Sequence, residues 1–395
     1  MIRPTILAPL FIILGFAISP SNSQNESTAN IESLLLKDDF IEDARMAIDL
    51  LYNRDYGKSI EVLSDWKYRY PDHPAWSLWK ALDLWWPILI DLENTSNDNA
   101  FLVASWEVIE HCNQLLYSNE NDLDARLIRS VMYGLIARHH SNRYNWYRSI
   151  LNARRALRDF FQIKETHPGI PDLNFGIGIY RYFAAYFVEE FPLVRPIGWM
   201  LPRGDREEGL FQLNQAAENS IFLQPESIYF LGHIYLHYEN EAGLALDHLS
   251  HLYQKYPENT FYRRLYIHSQ YSLRMMSETE MRIIESLEYY KHVNNHETQT
   301  MREDLLTLKG LIHYQQFQYE KAKSEFLKAI QVAETLEPFE ERTNMLTSLY
   351  HLGEMSIREG QREEARNYFG RAASSNSDYS YARRSREAMV KHQLQ

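Results

Sequence analysis

His233 and His237 stand four residues apart, a spacing that puts both imidazoles on one face of a helix, where they could share a metal ion. His248 and His251 follow at a spacing of three, so four imidazoles could converge. Metal-assisted hydrolysis needs a third ligand and a base beside such a pair. No Asp or Glu holds the third place on that face; Glu239 and Glu241 are near only along the chain. With 15 His in the sequence, groove-facing or surface histidines are the plainer reading, and no metal and no cofactor is expected. A His-cluster metal hydrolase remains a remote alternative.

Other patterns carry less chemistry. Gly176-x-Gly178 lacks the third glycine of a dinucleotide loop, has Arg181 in its place, and follows no strand, so it reads as close helix packing. The acidic pairs Asp38–Asp39, Glu189–Glu190, Glu207–Glu208, Glu340–Glu341 and Glu363–Glu364 are adjacent, and neighbours on a helix diverge by about 100°. They read as solvated faces. Cys112 sits among Trp106, Ile109 and Leu116 with no cation beside it, which describes a core residue and not a nucleophile. No Gly-x-Ser-x-Gly, His-Glu-x-x-His or phosphate-binding loop occurs. No catalytic residue is assigned, and the chain is not expected to be an enzyme.

Two apolar stretches are candidates for binding. Five of the eight Trp lie between Trp66 and Trp86, and Trp79, Leu82 and Trp86 share a helix face. Core burial between hairpins is the first reading and an exposed aromatic platform the second. Residues 191–203 are apolar and broken by Pro192, Pro196 and Pro202. Either they fold back into a groove, or Phe191, Leu193, Arg195, Trp199 and Met200 meet a partner or a membrane.

The elements that position these residues are helices. Only 15 Gly and 14 Pro occur in 395 residues, below the usual shares of about 7% and 5%. Tyr319, Ala322, Phe326, Ala329, Ile330 and Ala333 line one helical face, and Ala365, Phe369 and Ala372 repeat it. Gly360 is placed to cap the helix before it, and Pro225 suits a first turn. A register of a small residue, an apolar one four later, another seven later and Pro twelve later recurs. It fits Ser59–Leu63–Trp66–Pro71, Ala156–Phe160–Ile163–Pro168 and Ala245–Leu249–Leu252–Pro257. Gly310 and Gly353 stand twelve before Ala322 and Ala365, so each glycine is expected to face that alanine across a hairpin. The expected fold is all-α, an irregular right-handed superhelix of antiparallel helix hairpins.

This register resembles the tetratricopeptide repeat, best over 225–258, 303–336 and 346–379. Residues 170–260 are similar to a group of exported bacterial repeat proteins of unknown function. The resemblance implies a protein- or peptide-binding scaffold. By the same resemblance its groove carries Tyr229, His233, Leu236 and His237, then Leu311, Tyr314 and Gln315, then Tyr350, Glu354 and Arg358. Those side chains do not make a basic clamp for an acidic C-terminus. The net charge of −12 argues against nucleic acid.

Arg3, the apolar run from Thr5 to Ile18, and small residues at Ser21 and Ser23 have the layout of a secretory signal peptide. The expected order is a signal peptide over 1–23, a disordered leader over 24–36, helical hairpins over 37–170, a divergent helical segment over 171–220 and repeats over 221–395. The protein is therefore expected in the periplasm or outside the cell. An envelope-assembly accessory touching the membrane through 191–203 is the alternative function. N-terminal sequencing of exported protein should begin within a few residues of Gln24; an intact Met1 in soluble extract would contradict export.

Overall fold

The computed structural model describes residues 33–190, 204–339, 341–376 and 379–394. The expectations for 1–32 and for Phe191, Leu193, Arg195, Trp199 and Met200 lie outside the described residues. Among those described, regular structure is helical throughout, with eighteen α-helices and no strand. They are α1 Asp38–Tyr52, α2 Tyr56–Val62, α3 Ser64–Arg69, α4 Ala75–Ile90, α5 Asp98–Ser118, α6 Leu123–Asn142, α7 Trp146–Thr166, α8 Leu173–Glu190 and α9 Arg206–Asn219. Then come α10 Gln224–His237, α11 Ala242–Lys255, α12 Thr260–Ser272, α13 Met276–Tyr289, α14 His296–Gln315, α15 Tyr319–Ala333, α16 Thr343–Arg358, α17 Arg362–Ala373 and α18 Ser380–Lys391.

The chain forms two compact units. The first holds the described residues up to Trp86 together with Asp98–Asn259; the second holds Pro87–Asn97 together with the residues from Thr260 onward.

One turn recurs between paired helices. Arg54, Tyr144, Asn240, Arg274, Phe317 and Gly360 have φ of 69°, 57°, 57°, 62°, 61° and 76°, and each joins the two helices of a hairpin. In five of these turns the next residue donates its N–H to the carbonyl five residues back. These are Asp55 to Leu50, Asn145 to His140, Met275 to Gln270, Gln318 to His313 and Gln361 to Ser356. That bond reverses the chain at once, and only a left-handed residue permits it. Gly360 adopts this conformation freely and caps α16 as expected.

Second helices stop at prolines. Tyr70, His167 and Tyr256 each precede a Pro and have ψ of 64°, 64° and 66°. The proline ring drives the residue before it out of the helical region.

Within a hairpin the glycine meets a ring of the second helix. A Cβ on Gly310 would lie 2.5 Å from the Phe326 ring, and one on Gly353 would lie 2.6 Å from the Phe369 ring. Helical side chains lean toward their own N-terminus, so Phe326 reaches back one turn to the level of Ala322. The glycine thus leaves room for the ring where the two helices approach. One correction concerns α7. Its hairpin residue is Ser149, whose hydroxyl donates to the Ala137 carbonyl, just as Ser59 donates to Ala47 at 2.7 Å. α7 has 21 residues against 14 in α11. Ala156 lies two turns beyond Ser149 and so presents the same face.

Gly178 and Gly209 allow backbone contact between α8 and α9; a Cβ on Gly209 would lie 2.6 Å from the Tyr182 nitrogen. Close packing therefore explains the Gly176-x-Gly178 pair. Cys112 is fully buried, and burial pushes its thiol up to about 12.

In the second unit the segment Pro87–Asn97 is tied to the repeats by buried charge. Arg342 bonds Asp91 at 3.0 Å and Glu303 at 2.7 Å, and His296 lies 2.9 Å from Asp91. Burial raises Glu303 to about 8, against the opposing charge of Arg342. Burial acts the same way on Asp91, but the His296 hydrogen bond and the Arg342 charge outweigh it and hold Asp91 at about 2.

Two measurements follow. Gly310→Ala should destabilise by about 1–3 kcal/mol because the Phe326 ring must shift. Gly370→Ala, on α17 with nothing within 4 Å of the new methyl, should stabilise by up to about 1 kcal/mol; denaturant titration reads both signs. Asp91 has a depressed folded pKa, so its contribution is full above its ordinary value of 3.8 and is lost as pH falls through about 2. The stability gap between wild type and Asp91→Asn should narrow from about pH 5 toward pH 2; a constant gap would contradict the pairing.

Candidate functional site

The first helices of the second unit's hairpins, α12, α14 and α16, together with α18, carry a connected strip of tyrosine and arginine. Gln315 on α14 donates to the hydroxyl of Tyr271 on α12. The Arg358 guanidinium on α16 lies 5.8 Å from the Tyr314 ring centroid and 5.0 Å from that of Tyr319, and donates to the Tyr319 hydroxyl. Tyr350 on α16 and Tyr381 on α18 have ring centroids 5.1 Å apart, and Arg384 lies over both at 5.9 and 5.2 Å.

His351 closes the strip from beneath, stacked on Phe326 at 5.6 Å and packed on Tyr314 at 4.6 Å. Burial drives His351 down to about 4, so it is neutral at physiological pH. Burial also raises the hydroxyls of Tyr314, Tyr350 and Tyr381, which stay protonated and able to donate. Glu354 is half-buried, and its charge acts on both Tyr314 and Tyr350. Leu311 lies in the core below.

Sequence reasoning named Tyr314, Gln315, Tyr350, Glu354 and Arg358, and the structure brings these together. It missed Tyr271, Tyr381 and Arg384. The α12–α13 hairpin has Ile267 and Thr279 at the places held elsewhere by glycine and alanine, so the register did not flag it.

Tyr229, His233, Leu236 and His237 lie on α10 in the first unit. Tyr229 and His233 are buried with ring centroids 5.9 Å apart, Leu236 and His237 are half-buried, and Arg138 sits 4.7 Å above Tyr229. His248 is stacked on Tyr235 at 5.6 Å, and His251 is exposed. Burial lowers His237 and His248. Among the described residues no group of three or more His, Cys, Asp or Glu could hold a metal ion.

The first unit also holds a partly open apolar pocket of about 250 Å³. Its wall takes Ile48 from α1, Trp79, Leu82, Trp85 and Trp86 from α4, Leu135 from α6, Leu157 from α7, Phe175 from α8 and Phe230 from α10. The tryptophan cluster is thus mostly buried, as the core reading expects, with three of its rings facing this pocket. Trp66 packs edge-on against Phe40 and donates to Asp43 at 2.7 Å.

The tetratricopeptide-repeat family matches residues 303–335 and 346–379. No curated protein matches the chain. Among solved structures the chain is similar to yeast Tom70, at 13% identity and a TM-score of 0.32, over 91% of each chain. It is also similar to the TPR domain of P58(IPK), at 13% identity and a TM-score of 0.22, over 89% of this chain and 98% of that one. The hairpins α14–α15 and α16–α17, each a glycine-bearing helix turned back through a left-handed residue onto an aromatic ring, are the two stretches that match the tetratricopeptide repeat.

Proposed function

We propose that this is a non-catalytic scaffold that binds a protein or peptide through the strip on α12, α14, α16 and α18. The observation that carries the reading is the continuity of that strip. Tyr271, Tyr314, Tyr350 and Tyr381 come from four different helices, and Arg358 and Arg384 are laid over the rings. Tyrosine and arginine are the side chains that most often dominate binding energy, because they bury much area while keeping a polar end. Donors that stay protonated and one acidic side chain suit an extended peptide with carbonyl acceptors and basic or aromatic side chains. The excess of acid over base disfavours nucleic acid.

The scaffold is proposed to act after export, on the strength of the first 23 residues. Among the described residues no helix is long and apolar enough to cross a membrane.

The test is quantitative binding of a partner recovered from the native organism with the full chain. Tyr350→Ala and Arg358→Glu should each weaken it by about tenfold or more, roughly 1.4 kcal/mol, with helical circular dichroism unchanged. Undiminished binding by both variants would place the interface elsewhere.

A further inference from the structure

We infer that the cavity of the first unit is a binding site for an unbranched acyl chain, as carried by a free fatty acid or a lysophospholipid. The wall is aliphatic and aromatic, and its polar side chains are already engaged. Ser130 donates to the Leu127 carbonyl and Ser149 to that of Ala137. Trp79 donates to Ser59, and Asp172 accepts from the backbone of Ile221, Phe222 and Leu223. Tyr52 and Arg138 both donate to Glu226, at 2.9 and 3.2 Å. The indole N–H of Trp85 is buried without an acceptor. An occupant therefore meets almost no hydrogen-bonding groups along the wall.

That excludes an extended peptide, which brings a donor and an acceptor with every residue and would leave them unmet. Hydrocarbon makes no such demand. The space also exceeds the roughly 150 Å³ apolar cavities that take up benzene. The pair Arg138–Glu226 makes one polar, charge-balanced place in the wall, where the oxygen-bearing head of the amphiphile belongs.

Gly134 lines the space and is itself exposed. It lies in the middle of α6, where glycine weakens a helix, and it belongs to the cavity wall. Other helical glycines divide: Gly209, Gly310 and Gly353 answer a ring or a backbone, whereas Gly243 and Gly370 have open space where a Cβ would stand. A Cβ on Gly134 would meet nothing within 4 Å. No neighbour fills the space over this glycine, so a side chain introduced there would enter the pocket.

Trp79, Trp85 and Trp86 on the wall report binding directly. Delipidated full-length protein is titrated with bromine-labelled stearic acid and, separately, with lysophosphatidylcholine carrying the same chain. Saturable quenching of tryptophan fluorescence by either, reversed by unlabelled chain, is expected, and the head that binds identifies the source. Gly134→Leu should weaken binding by about tenfold or more and Gly134→Ala by no more than about twofold, both with wild-type circular dichroism. Ala153→Leu, on α7 in the same wall, should act like Gly134→Leu and decides the matter if the latter fails to fold. No saturable quenching by either amphiphile, or undiminished binding by folded space-filling variants, would overturn the inference.

Discussion

Two helices of a hairpin in this protein come so close that a single methyl group would collide with the partner's side chain. The clearance at Gly310 and Gly353 is set by the rings of Phe326 and Phe369, and at Gly232 by Leu249, 2.9 Å from where a Cβ would stand. Everything else about the repeats follows from that distance. It demands a turn that reverses the chain within a residue or two, which the left-handed residues provide. It also seats the large side chain of the second helix inside the hairpin, leaving the outer face of the first helix for neighbours and partners.

The two units use that freed surface differently. In the second unit the first helices present tyrosine and arginine, with hydroxyls kept protonated by burial and a neutral His351 beneath. In the first unit the helices around α4 present apolar side chains and line a partly open pocket. The same hairpin thus supports a polar strip and an apolar cavity, and side-chain choice on the first helices decides between them. The Arg342 cluster follows no repeat. It fixes Pro87–Asn97 to residues some 250 positions later, through one buried cation shared by two carboxyl groups.

Much of this was legible in the sequence, for definite reasons. Helical periodicity shows wherever a face is buried, and Gly, Ala and Pro at fixed spacing report a hairpin because each is demanded by sterics. Gly360, Pro225 and the prolines after α3, α7 and α11 belong to this class. What stayed hidden depends on direction and depth. That the Phe326 ring meets Gly310 was not legible, because spacing says nothing about which way a ring leans. The register of α7 was entered two turns late because positions seven apart share a face. Tyr381, Arg384 and Gly134 carry no local signature, since a strip or a cavity exists only once several helices are packed. Charges 251 residues apart that meet at Arg342 and Asp91 are likewise invisible along the chain.

A double-mutant cycle on the second of the close contacts tests the account most directly. Gly353→Ala, Phe369→Leu and the double variant would be compared by denaturant unfolding of the full chain. If the ring is what forbids the methyl group, the smaller Leu should relieve it, and the two changes should couple by about 1 kcal/mol or more. Losses that simply add, within about 0.5 kcal/mol, would mean that the hairpins are not built on this contact.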